Sequence, residues 1–256
     1  SRPTVFFMDD LGQAAPAVQA TCMQLLKARR VGEKKISDHV RIIAATNFKS
    51  AKAGVFGMLE PVKSRFVSIL QLEVSVDDWI KWALANDVPL PLIGFIRWKP
   101  DMLHQFKASS DMTNTPSPRT VTNVGKCQNI LEAAANGGAI DPTLEFEMFK
   151  GAAGEAFATE YCGHLQLARA AFDPDAILMD PDNAPIPDSL DMRYAICGAV
   201  AMRASQKTAG RIITYANRLP EEFNVLMVRD CQARNQGFQM SKEFKKWFQD
   251  HKDVMI

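Results

Sequence analysis

The stretch TVFFMDDLGQAAPAVQATCMQLL, residues 4–26, decides how the chain reads. Val5, Phe6, Phe7 and Met8 form a short unbroken apolar run, the pattern of a strand covered on both faces as in a parallel sheet. The run ends on Asp9 and Asp10, and a helix is expected from about Ala15 with Pro16 in its first turn. Buried strand, polar turn and helix is the unit of open α/β sheets, whose ligands sit at the carboxyl ends of the strands. Two carboxylates at such an end are awkward unless something cationic meets them.

Outward from this stretch the pattern repeats. RRVGEKKISDHV is polar, carries one glycine and predicts a hairpin or loop. VRIIAAT, residues 40–46, is a second buried run, and it ends at Thr46-Asn47. After the glycine-bearing KSAKAGVFGM, LEPVKSR predicts a short helix ending at Arg65, followed by a third strand-like run, FVSILQLEV, residues 66–74.

From Ser75 onward the period becomes helical. Ser75 with Asp78 three residues later resembles a capping box opening VDDWIKWALAND. A polar, proline-bearing connector spans 109–120, and helices are expected at roughly 120–135 and 142–171, the latter led by Asp141-Pro142. Residues 172–191, with four prolines, read as a linker or extended arm, and helices near 190–217, 220–234 and 241–251 end the chain. The expected fold class is α/β followed by all-α. Its expected parts are an α/β portion over 1–74, a helical domain over 75–171, and a proline-rich arm with a helical region over 172–256.

Totals narrow the function. The chain has 256 residues and a net charge of +1, from 30 basic and 29 acidic side chains. Such balance argues against nucleic acid and against an anionic membrane surface at whole-chain level, leaving room for a local basic patch. The short basic runs KKIS and KEFKKWF read as solvated faces. Five scattered cysteines with no CxxC pair favour free thiols in a reducing cytoplasm. No apolar run approaches the roughly 20 residues of a membrane span. The four histidines have no metal-ligand spacing, and there is no G-x-S-x-G nucleophile signature.

The chemistry is therefore sought at the strand ends. A carboxylate there can hold Mg²⁺, a neighbouring one can orient an attacking water, an amide can position it, and an arginine can neutralise charge on a transferring phosphoryl group. Taken singly, each residue has a plainer reading. Paired acids cap helices, asparagines make turns, and an arginine at a helix end meets the dipole. Their order along the chain is what points to a site.

That order resembles the AAA+ ATPases, and within them the MoxR-like, dynein-related group of bacteria and phages. VFFMDD resembles the Walker B strand, RIIAATN the sensor 1 strand, LEPVKSRF the arginine-finger helix and TPSPRTVTNVGK the sensor 2 segment of a helical lid. The resemblance covers about residues 1–171 and extends more loosely to GAAGEAFATEY and YANRLPEEFNVLMVRDC. It implies ATP and Mg²⁺ as cofactors. Asp9 would be the magnesium-associated acid, Asp10 the catalytic carboxylate and Asn47 the sensor 1 amide. Arg65 would be the finger reaching a neighbouring subunit's nucleotide, and Arg119 the sensor 2 arginine at the γ-phosphate. It further implies a homo-oligomeric ring, as a hexamer, that remodels a partner protein, with a von Willebrand factor A domain protein as the partner type. The hairpin RRVGEKKISDHV would by analogy face a central pore.

Two departures stand beside the resemblance. The second acid is Asp10 where the family has Glu, and no GxxxxGK[ST] occurs in the chain. The expectation is thus the C-terminal portion of a longer ATPase, itself inactive without a phosphate-binding loop. In the family's sheet the phosphate-loop strand lies between the sensor 1 strand and the last strand, so 40–46 and 66–74 are not expected to pair with each other. The alternative is a helical protein-interaction module with a degenerate nucleotide site.

Overall fold

A computed structural model describes residues 2–47, 57–106, 112–171 and 173–252. The segment 49–58 and the connector 109–120 lie partly outside the described residues. The chain divides into two compact units, Ser1–Glu73 with Lys107–Met112, and Val74–Phe106 with Thr113–Ile256.

The first unit is a small α/β arrangement. Strand β1 (Thr4–Met8) leads through a 3₁₀ turn at Leu11–Gln13 into helix α1 (Pro16–Ala28), which has its proline at the first position. A short hairpin follows, β2 (Arg30–Val31) against β3 (Lys34–Lys35), then strand β4 (Val40–Ala44) and the one-turn helix α2 (Glu60–Lys63). β1 and β4 pair in parallel with Thr4 opposite Val40 and Met8 opposite Ala44, so the strands end level with each other.

Among the described residues this sheet has only two strands, and most of β1 is exposed while Met8, Val40, Ile42 and Ala44 are half-buried. Successive β1 side chains point to opposite faces, yet Val5, Phe6 and Phe7 are 61%, 45% and 55% exposed. Among the described residues of the unit, the buried apolar side chains are Leu11, Leu25 and Val62. FVSILQLEV, residues 66–74, forms neither strand nor helix, and Val67, Ile69, Leu70 and Leu72 are exposed. The physical reason is pairing. A strand exists only against a partner's ladder, and the second edge of β4 meets none among the described residues.

The second unit is all helical and holds the large core. Its helices are α3 (Val76–Ala85), α4 (Leu90–Trp98), α5 (Pro118–Ala135), α6 (Pro142–Ala153) and α7 (Glu155–Ala171), continuing with α8 (Pro174–Met179), α9 (Leu190–Ala201), α10 (Ala209–Ala216), α11 (Glu221–Arg234) and α12 (Lys242–Asp250). Side-chain caps mark several starts: Ser75 accepts from Asp78 N, Asp141 from Thr143 N and Ser241 from Phe244 N, while Ser117 and Thr120 form a reciprocal capping box. One continuous cluster from Trp79 to Trp247 spans both sides of the proline-rich segment 172–191, which itself contains α8.

The long helices expected at 142–171 and 190–217 are each broken in two. At Gly154 the backbone takes φ 93°, and a Cβ there would meet Asn114 O at 2.6 Å, so only glycine fits. α4 and α9 lie close enough that a Cβ on Gly94 would meet Tyr194 O at 3.0 Å and one on Gly198 would meet Leu90 C at 3.1 Å. Inside the core, Arg97 makes a bidentate pair with Asp230 at 2.6 and 2.9 Å. Among the described residues no helix is long and apolar enough to cross a membrane.

Candidate functional site

The level ends of β1 and β4 carry the polar residues into one cluster. Past the ladder, Ala45 N donates to Met8 O at 2.9 Å and Leu11 N to Ala45 O at 3.0 Å, which keeps the two chains together through the turn. Thr46 Oγ1 accepts from Gly12 N at 3.1 Å, over buried Leu11 and Gly12. Asp10 then sits in the left-handed region at φ 52°, a conformation that short polar side chains tolerate. Its backbone N–H donates to Asp9 Oδ1 at 3.1 Å, and its own Oδ1 accepts from Asn47 Nδ2 at 3.3 Å. Asp9, Asp10 and Asn47 are all solvent-exposed.

Three of the five expected site residues are thus neighbours: two carboxylates and an amide at the carboxyl end of a parallel pair. The arrangement offers hard oxygen ligands facing water, with an amide carbonyl beside them. Magnesium takes one or two carboxylates and completes its shell with water and substrate phosphates, so this donor set suits it as a partial site. Among the described residues no group of three or more His, Cys, Asp or Glu side chains converges to hold a metal by itself. For the phosphates, the chain lacks the glycine-rich loop and lysine that would cradle them.

Arg65 follows α2, and its Nη1 donates to Pro61 O. Its Nε is buried without a hydrogen-bond partner. No hydrogen bond or ion pair joins it to Asp9, Asp10 or Asn47 among the described residues. α2 is held by a residue that sequence reasoning passed over, Gln19 of α1. Fully buried, it donates to Ala14 O at 3.0 Å and Gly57 O at 2.9 Å and accepts from Leu59 N at 3.0 Å, immediately before α2 begins. A lone glutamine in an amphipathic helix gives no signal of this. Thr46 was visible as part of the strand-end pair, but its role as the acceptor for Gly12 N was not.

Arg119 belongs to the second unit. It stands in the first turn of α5 and lines a shallow depression of about 360 Å³ with Trp79, Trp82, Thr122, Asn123 and Lys126. Trp79 is fixed there by its indole N–H, which donates to Thr122 Oγ1 at 3.2 Å. Neither Arg119 nor Lys126 makes an ion pair among the described residues.

No protein-family model matches the chain, and no curated protein or solved structure shows significant similarity to it.

Proposed function

We propose that this chain is the C-terminal portion of a MoxR-type AAA+ ATPase, a ring-forming, chaperone-like remodeller of a partner protein in the cytoplasm. The observation that carries the reading is the meeting of Asp9, Asp10 and Asn47 at the level ends of two parallel strands, with the Asn47 amide on the Asp10 carboxylate. In this reading Asp9 takes the magnesium-associated position, Asp10 orients a water for attack, and Asn47 fixes the Asp10 carboxylate. Bound Mg²⁺ would neutralise phosphate charge. Arg65, free of the local cluster, serves a neighbouring subunit's nucleotide, and Arg119 serves the γ-phosphate from the lid.

The open two-stranded sheet supports the same reading. Among the described residues β4 has an open edge, 66–74 has apolar side chains and no ladder, and Val5, Phe6 and Phe7 of β1 are exposed. A phosphate-loop strand and its helix, supplied by polypeptide outside this sequence, would fill that gap. Alone, the chain is inactive as an ATPase. The five free cysteines accord with a reducing compartment.

A second reading is a helical protein-interaction module with a degenerate site, favoured by the closed core of the second unit and by the shorter acid at Asp10. Reading the coding sequence upstream of Ser1 separates the two. A GxxxxGK[ST] motif preceding VFFMDD supports the ATPase, and its absence there gives the module. The ring size and a von Willebrand factor A domain partner remain part of the proposal, tested by sedimentation and pull-down of the full gene product.

A further inference from the structure

The near-neutral total hides the strongest local charge imbalance of the first unit. Between Lys27 and Arg41 six lysines and arginines face two carboxylates, an excess of four positive charges against +1 for the whole chain. The structure gathers several of them on the β2–β3 hairpin, where Arg30 lies directly opposite Lys35 and Val31 opposite Lys34. Like charges directly opposite each other destabilise a strand pair, and a two-stranded ribbon is marginal to begin with. Every residue from Arg30 to Lys35 is exposed, so neither burial nor a core contact explains the placement.

The ribbon is nevertheless firmly mounted. Arg29, left-handed at φ 52°, caps α1, and its guanidinium donates to Ser37 O at 2.9 Å and Val40 O at 2.6 Å, tying the hairpin base to the start of β4. Ile36 N donates to Arg29 O at 2.8 Å, and Arg41 is used on Asp38 O at 2.7 Å. Those two arginines hold the base. Arg30 and Lys34 have no side-chain partner among the described residues, and Lys35 has only an exposed contact with Asp38 at 3.6 Å. Gly32 at φ 59° allows the two-residue turn between the strands.

We infer that this hairpin is a docking element for the phosphate backbone of a nucleic-acid duplex, independent of the nucleotide site. Side chains at directly opposed positions share a face, so Arg30 and Lys35 project from one side of the ribbon and Lys34 from the other. A narrow ribbon with cations on both faces matches a groove walled by phosphates on both sides, and the major groove of DNA admits a two-stranded ribbon. No Phe, Tyr or Trp occurs between Lys27 and Arg41 to stack unpaired bases, and His39 lies outside the ribbon itself. Apart from Val31, the ribbon has no apolar anchor of the kind a peptide partner uses. Contacts to phosphates carry no base readout, so binding is sequence-independent.

The test is fluorescence anisotropy of a labelled mixed-sequence duplex of about 20 base pairs titrated with the chain at several salt concentrations. Three phosphate contacts give a log–log salt slope of about −2.7, a roughly fortyfold loss of affinity between about 50 and about 200 mM salt. The triple variant Arg30→Ala, Lys34→Ala, Lys35→Ala should bind at least about tenfold more weakly with a slope near zero. Lys242→Ala, Lys245→Ala, Lys246→Ala removes the same charge from the exposed side of α12 and should bind as the parent does. Absence of binding at low salt would overturn the inference, as would equal losses in both triple variants. Displacement of the duplex by poly-glutamate at lower concentrations than by unlabelled duplex would assign the hairpin to an acidic polypeptide instead.

Discussion

Asn47 Nδ2 donates to Asp10 Oδ1 at 3.3 Å, joining residues that lie 37 positions apart in the chain. The contact exists because β1 and β4 run parallel and end level, and because Thr46 holds Gly12 beneath it. Thr46→Val removes the acceptor and leaves Gly12 N unpaired, at a cost of about 1–3 kcal/mol to the local turn. Faster amide exchange at Gly12, with the second unit unchanged, is the expected outcome. Unaltered protection of Gly12 would show that the hydroxyl does not hold the turn.

Gln19 is the internal clamp of the first unit. Gln19→Leu keeps the volume but strands Leu59 N and the carbonyls of Ala14 and Gly57. A loss of about 1–3 kcal/mol per stranded buried group is expected, read as exchange at Leu59 rising well before the helical unit melts. If Arg65 serves as the proposed finger, the same change in the full gene product should lower ATP turnover without touching nucleotide affinity.

The Arg97–Asp230 pair is a buried charge pair in the helical core, with side-chain exposures of 13% and 2%. Asp230→Ala leaves a guanidinium uncompensated and should destabilise the chain by about 3–5 kcal/mol in urea denaturation. Arg97→Met with Asp230→Leu removes both charges and should recover most of that loss. A double variant as unstable as the single one would mean that packing, not charge, sets the cost.

His164 supplies the pH dependence. It lies in α7 against Phe95 and Trp98, nearly fully buried, with Nε2 unpartnered. Burial pushes its pKa below the ordinary histidine value; Asp191 works against this and Lys99 with it. The folded state therefore binds a proton less readily than the unfolded chain. The stability from neutral His164 is complete above about pH 6.5, the unfolded value, and is lost as pH falls towards the lower folded value. Thermal scans from pH 7.5 to 5 should show the loss, reduced in His164→Leu relative to the parent.

How much was legible in the sequence follows from the range of the interactions. The runs 4–8 and 40–46 and the caps at Ser75 and Asp141 are local patterns. Strands do form at Thr4–Met8 and Val40–Ala44 and both caps form as read, but the burial expected of the runs is not found, since Val5, Phe6, Phe7 and Ile43 are exposed. The same local logic marks 66–74 as a strand, but pairing is a tertiary event and no ladder meets that segment among the described residues. α4, with buried residues almost all round, has no amphipathic period to announce it. The break at Gly154 reflects the close passage of Asn114, which no spacing reveals. Asp9, Asp10 and Asn47 are neighbours because parallel strands bring their ends together, which the sequence pattern suggests, whereas the Gln19 clamp depends on where the segment 57–59 comes to rest.

The most direct measurement is Mg²⁺-dependent ATP hydrolysis by the full gene product, compared with Asp10→Asn and Arg65→Ala. The account predicts turnover in the parent and a loss of at least about a hundredfold in each variant, with nucleotide binding retained in Asp10→Asn. Arg65→Ala should regain activity when mixed into rings with Asp10→Asn, because each variant retains the group that the other lacks. Turnover unchanged in both variants, or no turnover in the parent, would contradict the assignment of Asp10 and Arg65 to a nucleotide site.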